Sequence, residues 1–141
     1  MKGKEIKKMV QNKLLTENED LFFILVHGLN GIIMLSQLYC LLGGRTKANQ
    51  NLIQTMESCC LIQTKFIRKN KVVLVRHKVY DYLNLYGKVT NYSGMRLHKS
   101  TLFAEIYLSK GYEIARIKKE IFVGNQAFQF PDASLNLLVR I

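Results

Sequence analysis

The sequence predicts an α+β fold, and this prediction comes from a change in the apolar pattern along the chain. Between residues 20 and 60, apolar side chains recur at the three- and four-residue spacing of amphipathic helices. From residue 61 the pattern changes to two short β-rich runs, 61–67 and 72–75, separated by four polar residues. The predicted order is therefore helices first, then a hairpin, then further helices and a strand-rich end.

Three helices are expected before the hairpin, each with recognisable start or stop residues. They are residues 21–29 with Asp20 as N-cap and Asn30-Gly31 as stop, residues 32–42 ending at Gly43-Gly44, and residues 47–60 with Thr46 as N-cap. The third helix carries an apolar stripe that should face the core, formed by Leu52, Ile53, Met56 and Cys60.

The remaining elements follow from similar local signals. Residues 68–71 form a credible hairpin turn in which Asn70 supplies the positive φ. Helices are expected at residues 77–85 and 97–110, and strands within 114–141 with a turn near Pro131-Asp132. We divide the chain into a basic N-terminal segment (1–19), a first domain (20–86) and a helix plus strand-rich C-terminal region (87–141).

Positive charge is concentrated in one part of the chain. The net charge is +11, and residues 45–78 carry +7, with eight Lys or Arg and the single acid Glu57. A concentrated excess of this kind indicates a docking face for a polyanion, either nucleic acid or an anionic membrane.

A membrane span and a secreted location are not expected. The apolar run 21–42 is long enough to span a bilayer, but His27 and Asn30 lie near its middle and Gly28 and Gly31 interrupt it. No signal peptide is recognisable. Three cysteines, an odd number, argue against a disulfide framework, so we expect a cytoplasmic protein.

Three helices followed by a hairpin are the order of a winged helix-turn-helix, in which the hairpin is the wing. The outward side of the third helix is rich in amides, which can pair with base edges. The residues expected to read the major groove are Lys47, Gln50, Asn51 and Gln54. Those expected to contact the DNA backbone are Arg45, Thr46, Lys65, Arg68, Lys69 and Lys71. Taken separately, an ordinary solvated helix face and a charged sheet edge would also explain these residues.

Parts of the sequence resemble known DNA-associated proteins. The run LIQTKFIRKNKVVLVRHKVYDYL resembles the wing and following helix of winged-helix regulators. The later runs LHKSTLFAEIYLSKGYE and KKEIFVGNQAFQFPDASLNLLVRI are similar to the replication-relaxation family of plasmid and mobile-element proteins. The matching positions are Leu97, His98, Glu120, Pro131, Asp132 and Ala133. The resemblance implies DNA association and a plasmid or mobile-element setting.

We therefore predict a non-enzymatic protein that binds double-stranded DNA in transcription, or in plasmid or mobile-element replication or transfer. We expect no cofactor, no catalytic residue and no metal site, and the choice between monomer and homodimer stays open. One alternative is a winged-helix protein–protein adapter that uses the apolar helix 97–108. Another is a fragment of a metal-dependent nuclease-like protein using Glu120 and Asp132, although no second acid follows Pro131-Asp132.

Overall fold

The computed structural model describes residues 3–85 and 94–128, which fold into helices and two small antiparallel sheets. The α+β class is confirmed. The elements in chain order are α1 (Gly3–Glu17), α2 (Glu19–Phe23) with a π-helical turn (Ile24–Gly28), β1 (Ile32–Met34), α3 (Leu35–Leu41), α4 (Lys47–Ser58), β2 (Ile62–Ile67), β3 (Asn70–Val75), α5 (His77–Leu83), α6 (Gly94–Lys110), β4 (Glu113–Ala115), β5 (Glu120–Val123) and β6 (Gln126–Phe128).

The first sheet has the strand order β1-β3-β2 and is covered on both faces. Successive strand residues point to opposite faces, so Val73 and Val75 join the main core together with buried residues of α1 to α4. Val72 and Leu74 point the other way and pack with Leu97 of α6. The Ser100 hydroxyl on α6 also donates to the Ile32 carbonyl of β1. Helix α6 thus covers the face that α1 to α4 leave open.

The second sheet, with order β4-β5-β6, shares the main core with the helices. Ile121 and Val123 of β5 belong to the same buried cluster as Phe103 and Tyr107 of α6. The Tyr107 hydroxyl donates to the Gly28 carbonyl at 3.3 Å, which fixes α6 against the π-helical turn. Strands were expected in this part of the chain, and β4 to β6 confirm them up to residue 128. The turn expected near Pro131-Asp132 lies outside the described residues.

The first 23 residues of the chain differ from the prediction in two places. Residues 3–17, expected only as a basic segment, form α1, whose Leu14 and Leu15 are buried. Helix α2 begins at Glu19, with Asn18 rather than Asp20 at the N-cap position.

The predicted helix 32–42 was wrong at its start. Gly31 has φ +82°, and this left-handed turn leads into strand β1 instead of a helix. Ile32 and Ile33 are β-branched residues, and they pair with Leu74 and Val73 across the sheet. Helix α3 begins only at Leu35.

The hairpin is confirmed, but its turn is tighter than predicted. Pairing extends to Phe66↔Lys71 and Ile67↔Asn70, which leaves Arg68-Lys69 as a two-residue turn. Arg68 takes the positive φ of 57°, so the assignment of this conformation to Asn70 was wrong. Strand pairing continues from Val72 through Lys71 to Asn70, so Asn70 belongs to β3 and not to the turn.

Helices α5 and α6 lie where the sequence placed them, with small shifts at their ends, and α4 ends two residues earlier than expected. Cys60 follows that end with φ 63° and is exposed, whereas Cys59 is buried. The inward stripe on α4 therefore ends with Cys59 and not Cys60. Within residues 3–85 and 94–128, no helix is long and apolar enough to cross a bilayer.

Candidate nucleic-acid interface

Helix α4 presents one polar, exposed side and one buried side, as predicted. The Thr46 hydroxyl accepts a hydrogen bond from the Asn49 backbone N–H at 3.1 Å, which confirms Thr46 as the N-cap. Ile53 and Met56 are buried in the core. The four residues expected to face the major groove are all exposed, namely Lys47, Gln50, Asn51 and Gln54.

The turn between α3 and α4 is held by a side chain that the sequence analysis did not single out. Asn49 Nδ2 donates to the Leu42 carbonyl at 3.1 Å and to the Gly44 carbonyl at 2.8 Å. Gly43 and Gly44 adopt φ values of +94° and +132°, so the turn depends on glycine there. The recognisable signal was an asparagine three residues after the N-cap threonine, following a Gly-Gly turn. This contact fixes the direction in which α4 leaves α3.

Arg45 is positioned by an aromatic ring on α3. Its guanidinium carbon lies 5.4 Å from the centre of the Tyr39 ring, a cation–π contact. Its backbone carbonyl accepts a hydrogen bond from Gln50 Nε2 at 3.4 Å. The side chain of Arg45 therefore lies beside α3, near the N-terminal end of α4.

The structure divides the cations of the hairpin into separate groups. Lys69 and Lys71 line the same cavity as Arg45, between α3 and the hairpin tip. Arg68 lines a smaller cavity of about 340 Å³ together with His98 of α6. Lys65 pairs in register with Val72 and therefore shares the α6 face of the sheet. Arg45, Lys69 and Lys71 thus form one cationic cluster, and Arg68 and Lys65 lie outside it.

Glu57, the single acid in this part of the chain, is occupied by local hydrogen bonds. Its carboxylate accepts from the Thr64 hydroxyl at 2.5 Å and from the Thr64 backbone N–H at 2.7 Å. These two bonds, with a smaller contribution from the positive charge of Lys71, lower the pKa of Glu57. The carboxylate ties the end of α4 to β2 and leaves the helix with an exposed face that is otherwise free of acid.

Phe66 on β2 is a large exposed side chain that the sequence analysis did not select. It is 64% exposed and pairs in register with Lys71, so both project from the same face of the sheet. An exposed aromatic beside a cation suits contact with a sugar or a base. Strand alternation places Phe66 on the same face as Thr64, but it gives no signal in the sequence that Phe66 is exposed.

The residues on which the adapter and nuclease alternatives depend are less well placed for those functions. The apolar side of α6, expected as an adapter surface, is buried within the chain through Phe103, Ile106 and Tyr107. Glu120 is half-buried on β5, and Asp132 lies outside the described residues. In the part of the chain that the structure describes, no group of three His, Cys, Asp or Glu side chains is placed to hold a metal ion.

Comparison of the chain with known proteins gave no match to a protein family, to a curated sequence or to a solved structure.

Proposed function

We propose that this protein binds duplex DNA, with α4 in the major groove and the tip of the β2–β3 hairpin along the sugar-phosphate backbone. One observation carries the proposal: Arg45, which lines one cavity with Lys69 and Lys71, stands two residues before α4 and its exposed, amide-rich side. The order α2, β1, α3, α4, β2, β3 and the sheet order β1-β3-β2 support a winged-helix arrangement.

The amide-rich side of α4 and the cationic cluster differ in chemistry, and each would have its own part in recognition. Gln50, Asn51 and Gln54 carry amides, each of which can donate to and accept from one adenine edge in the major groove. The cationic cluster neutralises phosphates and releases their counterions, which supplies affinity for any sequence. Thr46 and Lys47 lie at the N-terminus of α4, where free backbone N–H groups and the helix dipole favour a phosphate.

The biological setting is a separate part of the proposal. A role in transcription, or in plasmid or mobile-element replication or transfer, rests on the resemblance of the sequence to the replication-relaxation family. The adapter alternative has less support, because the helix expected to serve it has its apolar side buried.

Salt dependence of binding to a random duplex tests the proposal. If six to ten phosphates are contacted, affinity should fall by ~10³–10⁵-fold between about 50 and 200 mM salt. Lys69→Gln should weaken binding to all sequences about equally and make the salt dependence shallower.

Lys118→Gln is the matched control. It removes one positive charge, as Lys69→Gln does, but from the exposed turn between β4 and β5. Arg116 in the same turn contacts Glu19 on α2. Its affinity for duplex DNA should stay close to that of the wild type. A flat salt titration, or equal effects of the two substitutions, would contradict DNA binding through this face.

A further inference from the structure

The cavity between α3 and the hairpin tip has a volume of about 570 Å³, within the range of pockets that hold small organic ligands. Its walls come from the end of β1 and one side of α3, from the turn before α4, and from the tip of the hairpin. We name it the anion cavity, because Arg45, Lys69 and Lys71 line it.

The charge of the anion cavity is one-sided. Three cationic side chains line it, and no aspartate or glutamate is found among the described residues of its wall. Arg45 is held in place by its contact with the Tyr39 ring, which also lines the cavity. An arginine that is already ordered loses less side-chain entropy when it binds an anion.

Apolar side chains form a large part of the remaining wall, beside the polar Ser36 and Asn70, and this distinguishes the cavity from a simple phosphate contact. Met34, Leu35 and Tyr39 contribute from β1 and α3. A DNA phosphate needs only donors and positive charge, so it would leave this apolar wall unused. A ligand that fits both parts has an anionic group on an aromatic or short apolar body.

We propose that the anion cavity binds a small amphiphilic anion, meaning a carboxylate, sulfonate or phosphate carried on an apolar body. The same three cations would contact the DNA backbone, so ligand and duplex compete for them. The ligand thereby acts as an effector that releases DNA. The effector role rests on the DNA-binding function proposed above, whereas the binding site itself does not.

The first measurement uses 8-anilinonaphthalene-1-sulfonate, a fluorescent aromatic sulfonate, with the whole 141-residue chain. We expect saturable binding with one site per chain. Lys69→Gln should weaken this binding by about tenfold or more, since a charge-assisted contact is lost. Lys65→Gln, a matched change on the other face of the same hairpin, should leave it unchanged. Equal losses in the two variants, or binding that does not saturate, would overturn the site.

A cavity-filling substitution separates the apolar wall from the charge. Ser36 is exposed on α3 and lines the cavity, so Ser36→Trp places a large side chain at its wall without removing a cation. This variant should lose dye binding yet keep wild-type affinity for random duplex. If Cys40→Trp, on the same wall, and Ser36→Trp both bind the dye normally, the ligand does not occupy the cavity. Inorganic phosphate should displace the dye far less well than 2-naphthalenesulfonate; equal displacement would show that only charge matters, against the proposal.

Competition is the final measurement. Adding 2-naphthalenesulfonate should lower the affinity of the wild type for duplex DNA and should not affect Ser36→Trp. If the dye binds and DNA does not, the DNA-binding function fails and the site stands. If DNA binds and the dye does not, the anion cavity fails alone. If both bind without competing, the effector role is wrong.

Discussion

Substitution of Asn51 tests whether α4 recognises specific DNA bases, because its side chain is exposed on the helix face that would meet them. Asn51→Ala should cost roughly 1–3 kcal/mol of binding free energy on the preferred site. Affinity for random duplex should barely change, because an amide releases no counterion. Binding isotherms on selected and random duplexes measure the difference.

Thermal unfolding supplies the control for Asn51. An exposed substitution should change the free energy of unfolding by no more than about 0.5 kcal/mol. Met56→Asp, on the buried side of the same helix, should unfold the protein by placing an unpaired charge in the core. Equal loss of affinity on both duplexes for Asn51→Ala would mean that α4 is not the reading helix.

Glu57 should influence stability and DNA affinity in opposite directions. Its lowered pKa means that the carboxylate stabilises the fold above its unfolded-state pKa, and that this contribution is lost as pH falls through the folded-state pKa. Glu57→Gln should therefore lower the free energy of unfolding at pH 7, by no more than about 1 kcal/mol because solvent screens an exposed group. The variant should bind DNA more tightly, since an acid beside Lys71 is gone.

Melting curves at neutral and acidic pH, together with DNA titrations, measure both effects of Glu57→Gln. The melting temperatures of variant and wild type should converge in acid. A difference that stays constant down to the acid limit would show that the charge of Glu57 contributes nothing.

At the scale of elements, the sequence predicts helices and strands correctly where the signals are local. The start of α4 is marked in the sequence by the N-cap Thr46 and by the Gly43-Gly44 pair just before it. The hairpin strands are marked by the alternation of their side chains. Strand β1 was missed because its partner β3 lies some 40 residues further along the chain. Ile32 and Ile33 continue the apolar spacing of a helix, and only pairing with Leu74 and Val73 makes them a strand.

The candidate site was predictable as a set of exposed residues but not as an arrangement. Exposure of the α4 amides follows from helical spacing around Ile53 and Met56. The separation of Arg68 from Lys69 does not, because it depends on the two-residue turn and on α6 packing against the sheet. Distant packing of this kind leaves no local pattern.

Gly31 marks the junction between α2 and β1, and its replacement should be costly. It has φ +82°, and a Cβ there would overlap the hydroxyl of Tyr80, a buried side chain. Gly31→Ala should lower the free energy of unfolding by about 2–4 kcal/mol, from backbone strain and from displacement of the ring.

Gly43→Ala is the control for Gly31, since Gly43 has φ +94° but nothing within 4 Å of a Cβ. It should cost only about 1–2 kcal/mol, the price of the left-handed backbone. Urea unfolding of both variants gives the comparison. Equal losses would show that Tyr80 does not constrain the junction.

At the scale of the whole molecule, one core connects parts that the sequence divided at residue 86. Phe103 of α6 and Ile121 of β5 are buried in the cluster that also holds Ile53 of α4. Phe103→Ala should therefore destabilise the whole chain, by about 3–5 kcal/mol. Calorimetry should show one unfolding transition, shifted to lower temperature.

Leu108→Ala, at a partly exposed position on the same helix, should have a much smaller effect. Two separate transitions, with only one of them moved by Phe103→Ala, would indicate that residues 20–86 and 87–141 fold independently.

The Asn49 contact with the α3–α4 turn has a kinetic consequence for the proposed complex. Two consecutive glycines would otherwise let α4 swing relative to α3, and the encounter with DNA would wait for the right orientation. Because the turn is already ordered in the free protein, α4 should enter the groove without rearrangement in the proposed complex. The association rate constant should then approach the limit set by diffusion and electrostatic steering. Discrimination between sequences should reside in how long each complex lasts.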